Sequence, residues 1–154
     1  MAERSTLSRW LPVVVWAGVI SLLSTSAFGG EQTGRILLPI LRRLLPWATQ
    51  EQLVLVHHAL RKLAHFTEYL VLGLLLVRAL DEPGRSFGRI VLWAIVLATL
   101  LAIGDELHQA LVPGRTAAAT DSLVDVAGAI AAQGVALVRR RFRSRSAPSA
   151  VGAC

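Results

Sequence analysis

Residues 10–28 form a run of nineteen residues without a single charge. At about 1.5 Å of rise per residue, a helix of that length covers roughly the 30 Å hydrocarbon core of a bilayer. Three more apolar stretches follow, at about 60–80, 87–104 and 117–138. Few folds are open to such a chain, because lipid accepts only helices or closed barrels and no barrel-like alternation occurs. Composition agrees, with 54% of the 154 residues hydrophobic and 17% charged. That is too little polar surface for a soluble monomer and too much apolar surface for a disordered chain. The expected fold is an all-α integral membrane protein with four transmembrane helices over residues 1–138 and a basic, disordered tail over 139–154. The single cysteine, Cys154, excludes an internal disulfide framework and a multi-cysteine zinc site. The first run shares features with a signal peptide: Arg4 and Arg9 precede it, and Ser24, Thr25, Ser26 and Ala27 are small. It exceeds the usual apolar length of one, so it is read as a retained span.

The net charge of +6 is explained by where the arginines sit. Arg4 and Arg9 precede span one, Arg78, Arg85 and Arg89 surround the second-to-third connection, and Arg139, Arg140, Arg141, Arg143 and Arg145 follow span four. Those are ten of the 16 basic residues on one side of the membrane, which predicts that both termini are cytoplasmic. An arginine cluster directly after a span is a topology anchor that also meets anionic lipid. With one aromatic residue and no folded surface expected, the tail is not read as a nucleic-acid partner. Between spans one and two, residues 29–58 carry Arg35, Arg42 and Arg43 among leucines and isoleucines. This pattern predicts an amphipathic segment lying in the outer interface, interrupted by Pro39 and Pro46.

Ionisable groups inside a bilayer cost several kcal/mol apiece, so each needs a partner or a task. In span two, Arg61, His65, Glu68 and Tyr69 recur at i, i+4, i+7 and i+8, with Lys62 at the edge. At about 100° per residue they share one stripe. Asp105, Glu106 and Gln109 close span three, and Asp121 and Asp125 open span four, continued on that face by Gly128 and Ala132. The predicted topology puts all three clusters at one level, in the outer half of the membrane. Five of the ten acidic residues gather there with Arg61, Lys62, His65 and Arg115. Gly128 with Ala132, and Ala127 with Ala131, are small-residue pairs suited to close helix approach.

The stretch from Arg61 to Tyr69, followed by Leu72 and Gly73, resembles the first signature of the VanZ-like family. Asp105 to Gln109, then Pro113, Gly114 and Arg115, then Asp121 through Gly128, resembles the second. The resemblance covers roughly residues 10–138, span one matching only in hydrophobic character. It implies a small bacterial multi-pass protein of the cytoplasmic membrane with about four spans. The family's namesake is associated with low-level resistance to the glycopeptide teicoplanin. By that resemblance the family's polar positions fall on Lys62, His65, Glu68, Tyr69, Asp105, Glu106, Gln109, Arg115 and Asp121. Asp125 departs from it, standing where many relatives would have asparagine.

Three readings of the cluster stay open. The groups can form an ion-pair network that only fixes helix register. They can form a pocket that binds an envelope lipid intermediate or an amphiphilic glycopeptide and so affects antibiotic susceptibility. They can also serve an intramembrane hydrolase or transferase acting on an envelope lipid, with His65 as base and Glu68 orienting it. No nucleophile is evident for that chemistry, and Glu68 follows His65 in the wrong order for a Glu-x-x-His metal pair. No metal or cofactor is therefore expected, and the expected partners are membrane lipids. His57, His58 and His108 are read as interfacial residues, and Trp10, Trp16, Trp47 and Trp93 as belt or packing aromatics.

Overall fold

A computed structural model describes residues 6–112 and 119–145. Every regular element among them is helical: α1 (Thr6–Leu23), α2 (Gly30–Leu44), α3 (Gln50–Leu80), α4 (Phe87–Leu111) and α5 (Ala119–Arg145). A short 3-10 turn, Ser26–Phe28, joins α1 to α2. Helices α1, α3, α4 and α5 are long and apolar enough to cross a membrane. They alternate in direction. Arg9 at the start of α1 ion-pairs with Glu82 just past the end of α3 at 3.3 Å, and Arg140 late in α5 lies 5.0 Å over the ring of Phe87 at the start of α4. The beginning of α1 and the last turns of α5 therefore share one end of the bundle, the terminal end; α2 lies at the other, the distal end.

Two boundaries differ from the hydrophobic pattern. Span two was expected from about residue 60, yet α3 begins at Gln50 and runs 31 residues, about 46 Å. A capping box starts it: the Thr49 hydroxyl accepts from the Gln52 amide at 3.3 Å, and the Gln52 side chain accepts from the Thr49 amide at 2.9 Å. No proline or glycine interrupts residues 50–60, so the helix begins about ten residues before the expected span. Similarly, α5 continues to Arg145 where hydrophobicity ends at Val138, so residues 139–145 prolong the helix.

The expected interfacial segment over 29–58 thus contracts to α2. Pro39 does not interrupt it; Pro46 does lie beyond its end. A helix tolerates Pro39 where the freed carbonyl, that of the exposed Arg35, is open to solvent. Gly34 and Leu41 are the buried residues of α2, while Ile36, Ile40 and Leu44 form an exposed apolar stripe. Arg35 and Arg42 lie on another flank, paired with Glu31 at 2.6 Å and with Gln50 respectively.

The core follows small residues. Ile90, Ala94, Ala98 and Ala102 form a fully buried ladder down α4, and Asp105 and Gln109 extend that same face. Helix α3 packs most extensively on α5. A Cβ at Gly73 would lie 2.7 Å from the Ala132 Cβ, and one at Gly128 would overlap the Phe66 carbonyl oxygen, so these glycines set the helix separation. Of the two small-residue pairs, Gly128 with Ala132 is buried, whereas Ala127 is exposed. The turn into α4 places Gly84 at φ 80° after Pro83, with the Arg85 amide donating to the Glu82 carbonyl at 3.1 Å. Proline then a left-handed glycine is the type II pattern.

Candidate functional site

Two rungs join α3 to α5 in the distal half. Lys62 Nζ lies 3.8 Å from Asp121 Oδ1, and His65 Nδ1 lies 3.2 Å from Asp125 Oδ1. The rungs are three residues apart on α3 and four on α5, so successive turns of the two helices stay in register. They differ in environment. The Lys62 side chain is 51% exposed, whereas His65 and Asp125 are 13% and 3% exposed, which makes the second rung a buried pair.

Tyr69, one turn below His65, is fully buried. Its hydroxyl has no hydrogen-bond partner among the described residues, although Asp125, Asp105, Glu68 and Glu106 all lie near enough to act on it electrostatically. Across from it, Gln109 donates from Nε2 to Asp105 Oδ2 at 2.8 Å and reaches Ser24 Oγ at 3.4 Å. Span one thereby joins the polar group. A cleft of about 400 Å³ lies between α1 and α4 at this level. Its floor includes the buried Ile20, Tyr69 and Asp105; its rim includes the exposed Ser21, Leu100, Leu101, Gly104 and His108. The site therefore combines a buried floor carrying Tyr69 and Asp105 with an exposed rim in which Leu100 and Leu101 stand beside Ser21 and His108.

The VanZ/LLP1 family model matches residues 10–140, a range that takes in most of all four apolar helices. The chain belongs to the VanZ-like family. No match was found among curated proteins or among solved structures.

Within this VanZ-like bundle, the candidate residues do not all meet. Lys62, His65, Tyr69, Asp105, Gln109, Asp121 and Asp125 face one another as described. Arg61 turns away. Its guanidinium donates to the Phe28 carbonyl at 3.3 Å and the Thr33 hydroxyl at 3.4 Å, closing the corner between the 3-10 turn and α2. Glu68 and Glu106 are half-buried beside Tyr69. Arg115 and the Pro113–Gly114 connection lie outside the described residues. Among the described residues, no three His, Cys, Asp or Glu side chains are grouped to hold a metal ion.

Four contributors were not signalled as site or docking residues. Trp16 donates from Nε1 to the Glu68 carbonyl at 2.9 Å, pinning α1 beside the cluster. Ser24 meets Gln109, as above. His108 lines the cleft rim rather than serving only the interface. His57 is buried, 3.2 Å from the Thr33 hydroxyl, and docks α2 on α3. Trp16 sits in an apolar run, and Ser24, His57 and His108 sit beside other polar residues, so no spacing marks any of them.

Proposed function

We propose that this VanZ-like protein binds an amphiphile of the bacterial cell envelope, a lipid-linked precursor or a lipid-tailed glycopeptide, and thereby alters glycopeptide susceptibility. The observation that carries this reading is the α1–α4 cleft, with Tyr69 and Asp105 on its floor and a mouth of exposed leucines. Binding sites for small molecules are concave, largely apolar and carry a few placed polar groups. A lipid-tailed molecule needs that combination at membrane level. The arginine distribution supports placing the distal half outward in the cytoplasmic membrane, with both termini inside.

Susceptibility to teicoplanin in a sensitive host tests the reading. Asp105→Asn and Tyr69→Phe, matched to the parent in membrane abundance, should lose whatever protection the parent confers. Undiminished protection in both variants would sink it. For the orientation, Gln32→Cys in a Cys154→Ser background should react with an impermeant maleimide on intact cells; labelling only after lysis would reverse the sidedness.

A second reading, a hydrolase or transferase acting on an envelope lipid, draws on the buried His65–Asp125 pair, a base held by a carboxylate. Incubation of the purified protein with envelope lipid intermediates should then yield a new product by mass spectrometry, absent with His65→Asn.

A further inference from the structure

We infer that the α1–α4 cleft selects a hydrogen-bond-donating head group, an ammonium or a hydroxyl, on an amphiphile that enters sideways from the lipid. This deepens the binding reading above and rests on it.

The route follows from the rim. Leu100, Leu101 and Gly104 are exposed on the flank of α4, a helix able to span the membrane. A mouth on the flank of a span faces acyl chains, so the tail of a bound amphiphile stays against Leu100 and Leu101 while its head group reaches the floor.

The head-group chemistry follows from the donor and acceptor inventory of that floor. Asp105 accepts one hydrogen bond from Gln109, at Oδ2, and a carboxylate has about four acceptor positions. The Tyr69 hydroxyl is fully buried and has no partner among the described residues; leaving such a group unpaired is costly. The two cations described in the cluster serve the other side of the bundle, Lys62 on Asp121 and His65 on Asp125, and Arg61 is turned to the α2 corner. A phosphate on the floor would therefore face the Asp105 carboxylate, with only the His108 imidazole, out at the rim, as a described nitrogen base in the cleft. An ammonium donates to Asp105 and to the Tyr69 oxygen. A hydroxyl donates to Asp105 while accepting from Tyr69. The hydroxyl completes both groups, whereas the ammonium leaves the Tyr69 O–H without an acceptor.

Native mass spectrometry of the full chain, released from detergent with lipids of identical acyl chains, tests this. Two matched pairs isolate the donor from the charge. Phosphatidylethanolamine and phosphatidylcholine are both zwitterionic with a terminal ammonium, but only the first has N–H donors. Phosphatidylglycerol and phosphatidylmethanol share one negative charge, but only the first has hydroxyls. The donor lipid should be retained about fivefold more than its partner in at least one pair, and the pair that responds names the source; a fivefold change is the size of one net hydrogen bond. Tyr69→Phe should remove most of that preference. Gly104→Leu, which projects a side chain into the mouth from a position whose Cβ meets nothing within 4 Å, should abolish retention even where Tyr69→Phe misfolds. Equal retention within both pairs overturns the donor assignment, and an intact preference in Gly104→Leu overturns the cleft as its place. Selectivity without any effect on susceptibility would remove the functional reading and leave the site. An effect on susceptibility without selectivity would do the reverse.

Discussion

Replacing Gly73 with alanine tests how tightly α3 and α5 are fitted. The new Cβ would lie 2.7 Å from the Ala132 Cβ, 3.1 Å from the Ala129 carbonyl oxygen and 3.3 Å from the Ala129 Cα. Non-bonded carbons settle at about 3.5–4.0 Å, so the helices must part by roughly 1 Å at this point. Parting forfeits the close packing of Gly128 on the Phe66 backbone and stretches the His65–Asp125 pair that bridges them nearby. Overpacking of a well-filled interface costs about 1–3 kcal/mol, and Gly73→Ala should fall in that range. Ala132→Gly removes the worst contact and leaves only distances that a few tenths of an ångström relieve. In the Gly73→Ala, Ala132→Gly double variant the two changes should couple favourably by about 1 kcal/mol or more. Gly128→Ala has no such rescue, since its obstacle is backbone. Gly134→Ala, whose Cβ meets nothing within 4 Å, is the clash-free control and should gain up to about 1 kcal/mol from helix propensity. Unfolding in mixed dodecyl sulfate and dodecyl maltoside micelles, followed by far-ultraviolet circular dichroism, measures the parent and the five variants. Strictly additive losses, or a Gly73→Ala variant as stable as the parent, would refute the close approach.

Two further expectations follow from single contacts. Asp125→Ala strips the buried His65 of its acceptor at 3.2 Å and should cost about 1–3 kcal/mol in the same assay. Asp125→Asn keeps an oxygen for Nδ1–H and should cost less than half as much; equal losses would mean that the charge, not the hydrogen bond, holds the pair. Trp16→Phe deletes the hydrogen bond to the Glu68 carbonyl at 2.9 Å while keeping an aromatic ring. It should cost about 0.6 kcal/mol, the mean for an interhelical hydrogen bond in a membrane, and should leave the α3–α5 coupling unchanged.

The four spans were legible because lipid allows only one way to bury a long apolar run, and the polar stripe because Arg61, His65, Glu68 and Tyr69 recur at helical spacing with Lys62 at the edge. The helix ends were less so. Hydropathy marks the length immersed in lipid, whereas the start of α3 is set by Thr49 and Gln52, which carry no apolar signal. Arg61 shared the stripe of His65 by angle, yet its long side chain reaches the Phe28 carbonyl instead; angular position fixes where a side chain leaves a helix, not where it ends. The alanine ladder of α4 was invisible for another reason. Ala94, Ala98 and Ala102 count as apolar on any face, so only the packed bundle shows that the buried side leads into Asp105 and Gln109.

The cleft and the tight α3–α5 seam are two outcomes of one distribution of small residues. Gly73, Gly128, Ala129 and Ala132 let α3 and α5 meet at backbone distance. Helix α1 has few equivalents on its inner face, where its buried residues are Val13 and Ile20. It is fixed instead at separate points: Arg9 on Ala79 and Glu82 at the terminal end, Trp16 on Glu68 midway, and Ser24 by Gln109 at the distal end. Ala17, Ile20 and Ser21, which line the cleft, fall between the second and third of these pins. A helix held at its ends over neighbours it does not fill leaves a gap between the pins, and the floor of this gap is where α3 presents Tyr69 and α4 presents Asp105. On its α5 side the polar cluster is closed at His65 and Asp125 but open at Lys62, and on its α1 side Tyr69 and Asp105 form the floor of the cleft.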